Sequence, residues 1–213
     1  GGIEAVRTEA NEPYRTVFVT CRFEKMPLDA KVVYDPAEQV AGLFFAPAAP
    51  PAPAWSAPEY VHPERFEERP VVLASGGFQL PGFLCLPKGV GPFPAALLVH
   101  GSGPHDADET VLGNKPFRDL AWGLASRGVA VLRYAKRTQV MAQGPPVSLA
   151  GFTVREETID DARAAAAFLC RTAGIDSARV YVVGHSLGGV FALRVAAGLR
   201  QAAVLVLVNP AHR

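Results

Sequence analysis

Cysteine is scarce in this sequence: only Cys21, Cys85 and Cys170 occur, far apart and in no CxxC or metal-type spacing. An odd, sparse set excludes a disulfide framework, and all three are expected as small buried apolar side chains. An excess of either charge is also missing. The 21 basic residues face 20 acidic ones, for a formal net charge of +1, whereas a nucleic-acid binder shows a basic excess or stripe. No apolar run approaches the roughly 18 residues that span a bilayer, so neither a nucleic-acid nor a membrane partner is expected. Residues 1–10, GGIEAVRTEA, hold no initiator Met, no basic n-region and no apolar h-region. The chain is therefore read as starting inside a longer protein, with any export signal upstream and the compartment open.

Proline and apolar residues are plentiful, with 19 prolines and 49% hydrophobic residues in a chain of 213. That length fits one large or two smaller domains with a buried core. Within residues 1–45, apolar and polar positions alternate in three runs, at 15–23 (RTVFVTCRF), 28–34 (LDAKVVY) and 39–45 (QVAGLFF). Period-two runs broken at Met26-Pro27 and Asp35-Pro36 predict a small antiparallel meander with one covered face. Three strands with no helix over that face would be marginal, so the cover is expected upstream of Gly1. Residues 46–58, APAAPPAPAWSAP, favour an extended semi-rigid spacer and mark a domain boundary.

From residue 59 to 213 the pattern changes. Residues 69–74 and 78–86 flank Ser75-Gly-Gly77 and predict a hairpin. Ala95–Val99 is a continuous apolar run, the mark of a strand covered on both faces. Pro116 opens a helix and Gly128 closes it, with Phe117, Leu120, Ala121, Leu124 and Ala125 along one stripe. A buried strand at 129–133 follows, then a loop at 138–152. Thr153 and Glu156 form a capping box for a helix running to about Ala173, stopped by Gly174. A strand at 180–183, a helix from near Ser186 and a strand at 203–208 complete the series. The succession predicts an α/β fold, a mostly parallel sheet of six strands with helices on both faces.

Two motifs carry chemistry. Gly184-His185-Ser186-Leu187-Gly188 matches G-x-S-x-G between a predicted strand and a predicted helix. Glycines on either side allow a sharp strained turn that exposes the Ser186 hydroxyl at the sheet edge, with the helix N-terminus aimed at the reacting centre. Ser186 is thus the candidate nucleophile. Directly after the first buried strand comes His100-Gly101-Ser102-Gly103-Pro104. A loop in this place supplies one backbone N–H to an oxyanion hole, and the residue after the nucleophile supplies the other. Ser102 and Leu187 are assigned as those donors, and His100 as a structural residue that holds the loop by hydrogen bonds.

With these residues in view, the segments VHGSGPHDADE, NKPFRDLAWGLASRGVAVLRYAKR and VVGHSLGG resemble bacterial α/β-hydrolase fold esterases. The relatives in question are dienelactone hydrolases, cinnamoyl esterases and prolyl-oligopeptidase-type peptidases. The resemblance covers Arg69 to Arg213. Residues 1–45, especially CRFEKMPLDAKVVYDPAEQVAGLFF, resemble the end of a small α+β domain of unknown function that often precedes such hydrolases. One departure stands at Tyr134-Ala135-Lys136-Arg137, where the group often reads Tyr-Asp-Lys-Arg. Arg137 is expected to lack a partner in consequence.

The resemblance implies a Ser–acid–His triad in that chain order, yet no Asp or Glu follows Asp176. A strand at 203–208 left as an apolar edge would be an aggregation liability. The chain is therefore expected to be a truncated hydrolase domain, a fragment inactive alone whose parent supplies the missing pair. His212, just past the last strand, and His105, in the oxyanion loop, are the histidines that could approach Ser186. Neither has an evident carboxylate to fix its tautomer. His105, Asp106, Asp108 and Glu109 match no metal-ligand spacing, and are read as a solvated acidic loop at the substrate mouth. Asp160 and Asp161 are read as solvated helix-face charges, and His185 as a packing residue. No cofactor is indicated, since GHSLGG lacks the Lys-Ser/Thr of a phosphate-binding loop. The expected activity is serine hydrolysis of carboxylic esters. A peptidase is the alternative within enzymes, and a non-catalytic binding protein on the same fold is the alternative outside them.

Overall fold

The computed structural model describes residues 2–11, 13–48, 55–111, 113–143, 152–197 and 202–206. The chain divides into two compact units, Gly1–Pro53 and Ala54–Arg213. The first is an antiparallel meander of β1 (Gly2–Asn11), β2 (Tyr14–Arg22), β3 (Pro27–Tyr34) and β4 (Val40–Pro47) in that spatial order. Three of these strands were legible as alternating runs. β1 was not, because GIEAVRTEAN lacks a clean period of two, and its pairing with β2 slips between Ile3 and Ala5. The meander is tied across strands by Asp29, which accepts from Thr20 Oγ1 at 2.6 Å and Arg7 at 2.8 Å. Those hydrogen bonds, Thr20 first, hold its carboxyl below the usual carboxylate range. Much of the sheet's apolar surface is exposed, including Ile3, Val6, Leu43, Phe44 and Phe45.

The second unit is a six-stranded mixed sheet. Its strands are β5 (Phe66–Ser75), β6 (Phe78–Pro87), β7 (Phe93–Val99), β8 (Ala130–Tyr134), β9 (Ile175–Gly184) and β10 (Ala202–Val206). The spatial order is β10-β9-β7-β8-β6-β5. The β5–β6 hairpin and the β6–β8 pair are antiparallel, and the remaining neighbours are parallel. This is the α/β fold expected from the sequence. Successive residues of a strand point to opposite faces, so β7 needs helices on both sides. Ala95, Leu97 and Val99 pack on one core with Ala162, Ala165, Ala166 and Leu169 of α3 (Asp161–Arg171) and with Ala192 and Val195 of α4 (Leu187–Ala196). Ala96 and Leu98 pack on the other with Phe117, Ala121 and Ala125 of α1 (Pro116–Ala125).

Several expectations are corrected. The spacer does not extend to residue 58. Trp55 packs edge-to-face on Trp122 at 5.2 Å and donates from Nε1 to Asp119 at 2.7 Å, so the far end of the Pro/Ala-rich segment is part of the second unit. A short helix, α2 (Arg137–Ala142), occupies the start of the stretch read as loop, whose residues 144–151 lie outside the described ones. The capping box forms, with Thr153 N bonded to Glu156 Oε2 at 2.9 Å, but it opens a π-helical turn, Arg155–Asp160, before α3 begins. Of the three free cysteines only Cys85 is fully buried; Cys21 and Cys170 are half-buried.

Candidate active site

Ser186 adopts φ 51° and ψ −119°, a left-handed backbone that costs a non-glycine residue about 1–3 kcal/mol. The neighbouring glycines make the turn sterically possible. A Cβ on Gly184 would sit 2.3 Å from the Gly188 carbonyl oxygen, and one on Gly188 would sit 2.2 Å from that of Val99. Backbone hydrogen bonds then lock the turn. His185 N donates to Val99 O at 2.9 Å, and Gly188 N donates to His185 O at 2.8 Å. The elbow is therefore clasped to the end of β7, and the loop after β7 runs beside it. A Cβ built on Gly101 would lie 3.1 Å from Ser186 Cβ.

That loop is glycine-rich, and its backbone is held by side chains from elsewhere. Gly101 N donates to Glu109 Oε1 at 2.8 Å, Lys136 Nζ donates to Gly101 O at 2.9 Å, and His105 Nε2 lies 2.7 Å from Ser102 O. His100, buried beneath, bonds through Nε2 to Asp106 O at 3.0 Å. Burial, reinforced by the nearby His105, pushes the His100 pKa down to about 3, so the imidazole is neutral. Among the described residues the Ser102 and Leu187 N–H groups donate to no protein acceptor. They belong to the two segments that flank Ser186.

Two of the acidic residues after the loop, Asp108 and Glu109, are not solvated, contrary to expectation, while Asp106 stays partly exposed. Glu109 is 1% exposed, and its Oε1 also meets His185 Nδ1 at 2.9 Å. His185 is accordingly a half-exposed imidazole paired with a carboxylate, not a packing residue. Asp108 is buried on Arg133, itself 1% exposed on β8, at 2.9 Å. Lys115 bonds Asp108 at 2.8 Å from the other side, while Glu68 of β5 takes the second arm of Arg133 at 2.8 Å. Burial opposes ionisation of Glu68 and Asp108, but these cationic partners win and hold both carboxyls below their ordinary range. Asp106 closes its own turn, accepting from Thr110 N at 2.9 Å. Among the described residues no group of three or more His, Cys, Asp or Glu is placed to hold a metal ion.

Arg137 does not lack a partner either. Its guanidinium pairs with Asp161, which is fully buried at the start of α3 instead of solvated, and whose carboxyl burial pushes up despite that pairing. Ala135 is buried and its N–H bonds Pro81 O at 2.8 Å. His105 commits Nε2 to its own loop rather than to the Ser186 hydroxyl. His212 lies outside the described residues. Glu109 was placed at the substrate mouth but read as solvated, whereas Lys136 and Glu157 are the residues the sequence reading missed. Only the Lys in Tyr-Ala-Lys-Arg offered a signal, as a charge directly after a buried strand.

A model of the alpha/beta hydrolase family matches residues 96–213. The chain is 42% identical over 199 residues to esterase EstD of Thermotoga maritima, covering 93% of this chain and 45% of that protein. It thus spans a little under half the length of this curated relative. In solved structures, brefeldin A esterase, a bacterial homologue of human hormone sensitive lipase, superposes with a TM-score of 0.50 at 22% identity. That match covers 68% of this chain and 38% of the other, and it bears on the fold alone.

Proposed function

This chain belongs to the alpha/beta hydrolase family, and from that premise we propose that it acts as a serine esterase through an acyl-enzyme on Ser186. The observation that carries the reading is the strained Ser186 elbow set against a loop whose Ser102 N–H has no protein acceptor among the described residues. In this mechanism Ser186 Oγ attacks the ester carbonyl carbon as its proton passes to a base. The Ser102 and Leu187 N–H groups receive the resulting oxyanion. Collapse expels the alcohol, which takes up that proton, and water then releases the acid by the same route. A helix N-terminus at Leu187 adds its positive end to the same side.

Among the described residues no histidine is hydrogen-bonded to the Ser186 hydroxyl. His105, fixed to Ser102 O, stands in this reading as a strut at the substrate mouth. The esterase name of the Thermotoga relative favours esters over peptides. The test is intact mass of the natural protein before and after a fluorophosphonate, with Ser186→Ala as control. A single adduct lost in the variant supports the reading. An unlabelled natural protein, or a variant that still takes the adduct, sinks it.

A further inference from the structure

Three consecutive peptide groups of the loop after β7 are each held by a side chain from outside the Gly101–Gly103 segment, and one of those side chains is a buried lysine. Lys136 is 2% exposed, donates from Nζ to Gly101 O at 2.9 Å, and pairs with Glu157 Oε1 at 2.9 Å. Its own backbone N–H bonds His105 O at 2.9 Å, so the head and base of this residue grip two points of the same loop. Glu157 is in turn fixed by Thr138 Oγ1 at 3.1 Å. We propose that Lys136 is a positioning residue for the oxyanion hole: by gripping the Gly101 carbonyl it sets the plane of the Gly101–Ser102 peptide, and with it the direction of the Ser102 N–H. The inference rests on the assignment of Ser102 as an oxyanion donor.

The physical argument is short. In a trans peptide the C=O and N–H of one unit point in opposite directions. Holding the carbonyl on Lys136 therefore turns the Ser102 N–H away from the lysine. Something must do this, because Gly101, which borders that peptide on one side, imposes little backbone preference of its own. Glu109 fixes the preceding N–H and His105 the following carbonyl, but among the described residues only Lys136 acts on the unit that carries the donor. Lysine suits the task because a buried ammonium is expensive unless paired, and Glu157 supplies the pair. The grip is charge-assisted, hence stronger than a neutral hydrogen bond.

The experiment is steady-state hydrolysis of a p-nitrophenyl ester by the natural protein and by Lys136→Met/Glu157→Gln, which removes both charges together. Inhibition by a boronic acid, whose adduct places an oxygen in the oxyanion position, is measured alongside. Outright loss of an oxyanion donor costs about 10²–10³ in rate, so a donor left free to turn is expected to lower kcat by about 10–10²-fold with KM little changed. Boronate affinity falls in parallel. A merely structural role would leave kcat and boronate affinity of the folded fraction untouched, and kcat within about threefold of wild type overturns the inference. Fluorophosphonate labelling separates the two ideas: wild type that takes no label fails as a serine hydrolase, whereas labelled wild type with an unimpaired double variant fails only this assignment.

Discussion

His100 offers the sharpest quantitative test of the core under the candidate site. It is 1% exposed, its Nδ1 has no partner among the described residues, and its pKa is pushed down to about 3 from an ordinary 6.5. Between those values the unfolded chain binds a proton that the folded chain refuses. Stability from this group is therefore full above about pH 6.5 and drains as pH falls toward 3. Linkage gives about 1.4 kcal/mol lost at pH 5.5 and about 2.7 kcal/mol at pH 4.5. The second figure barely changes for any folded pKa below about 4. His100→Gln keeps a donor for Asp106 O but cannot titrate. Urea unfolding of both proteins at pH 7.5, 5.5 and 4.5, followed by tryptophan fluorescence, isolates the effect. Both tryptophans of the sequence, Trp55 and Trp122, lie in the second unit, so the first does not contribute to the signal. Wild type should lose about 2.7 kcal/mol more than the variant over that range. A gap between the two that stays constant with pH would refute a neutral, buried His100.

Two further substitutions test the frame around the site. Gly188→Ala puts a Cβ 2.2 Å from Val99 O and 2.5 Å from His100 O, so α4 must back away from β7. At least the about 1–3 kcal/mol of an overpacked core should be lost, with fluorophosphonate labelling reduced as the elbow opens. Arg133→Met strands Glu68 and Asp108, and should cost about 3–5 kcal/mol near neutral pH by urea unfolding. Both carboxyls are held low, so the stability they bring is present above their ordinary values of 4.5 and 3.8 and lost as pH falls through the lowered ones. The Arg133→Met penalty should accordingly shrink below about pH 4, and one that grows there would contradict the assignment.

What could be read from the sequence is what local periodicity encodes. The continuous run Ala95–Val99 meant a strand covered twice, and helices lie on both of its faces. The stripe on α1 and the glycine spacing around Ser186 were legible for the same reason, since each is a rule about neighbours in the chain. The fate of charge was not legible. Asp108, Glu109 and Asp161 look like solvent-facing acids in a linear reading, yet they are buried against Arg133, His185 and Arg137, which lie 25, 76 and 24 residues away. No local pattern announces a partner at that distance. The first strand of the meander escaped for a related reason, its pairing being set by β2 and not by its own alternation.

These two classes of residue divide the construction of the site between them. Glycines at 184 and 188 let backbones approach to distances that a Cβ would forbid, and Gly101 keeps the loop after β7 tight against Ser186. Gly101 and Gly103 also leave that loop with few conformational preferences of its own, whereas the proposed oxyanion hole requires an N–H held in one direction. Rigidity has to be imported, and it arrives as Glu109, Lys136 and His105 on the loop, with His100 and the Arg133 cluster beneath. Charged groups suit the role because they bind main-chain atoms more strongly than neutral ones, provided each is neutralised. The buried acids and bases around Ser186 follow from its glycines: the closer the backbones pack, the more of their orientation must be fixed from a distance.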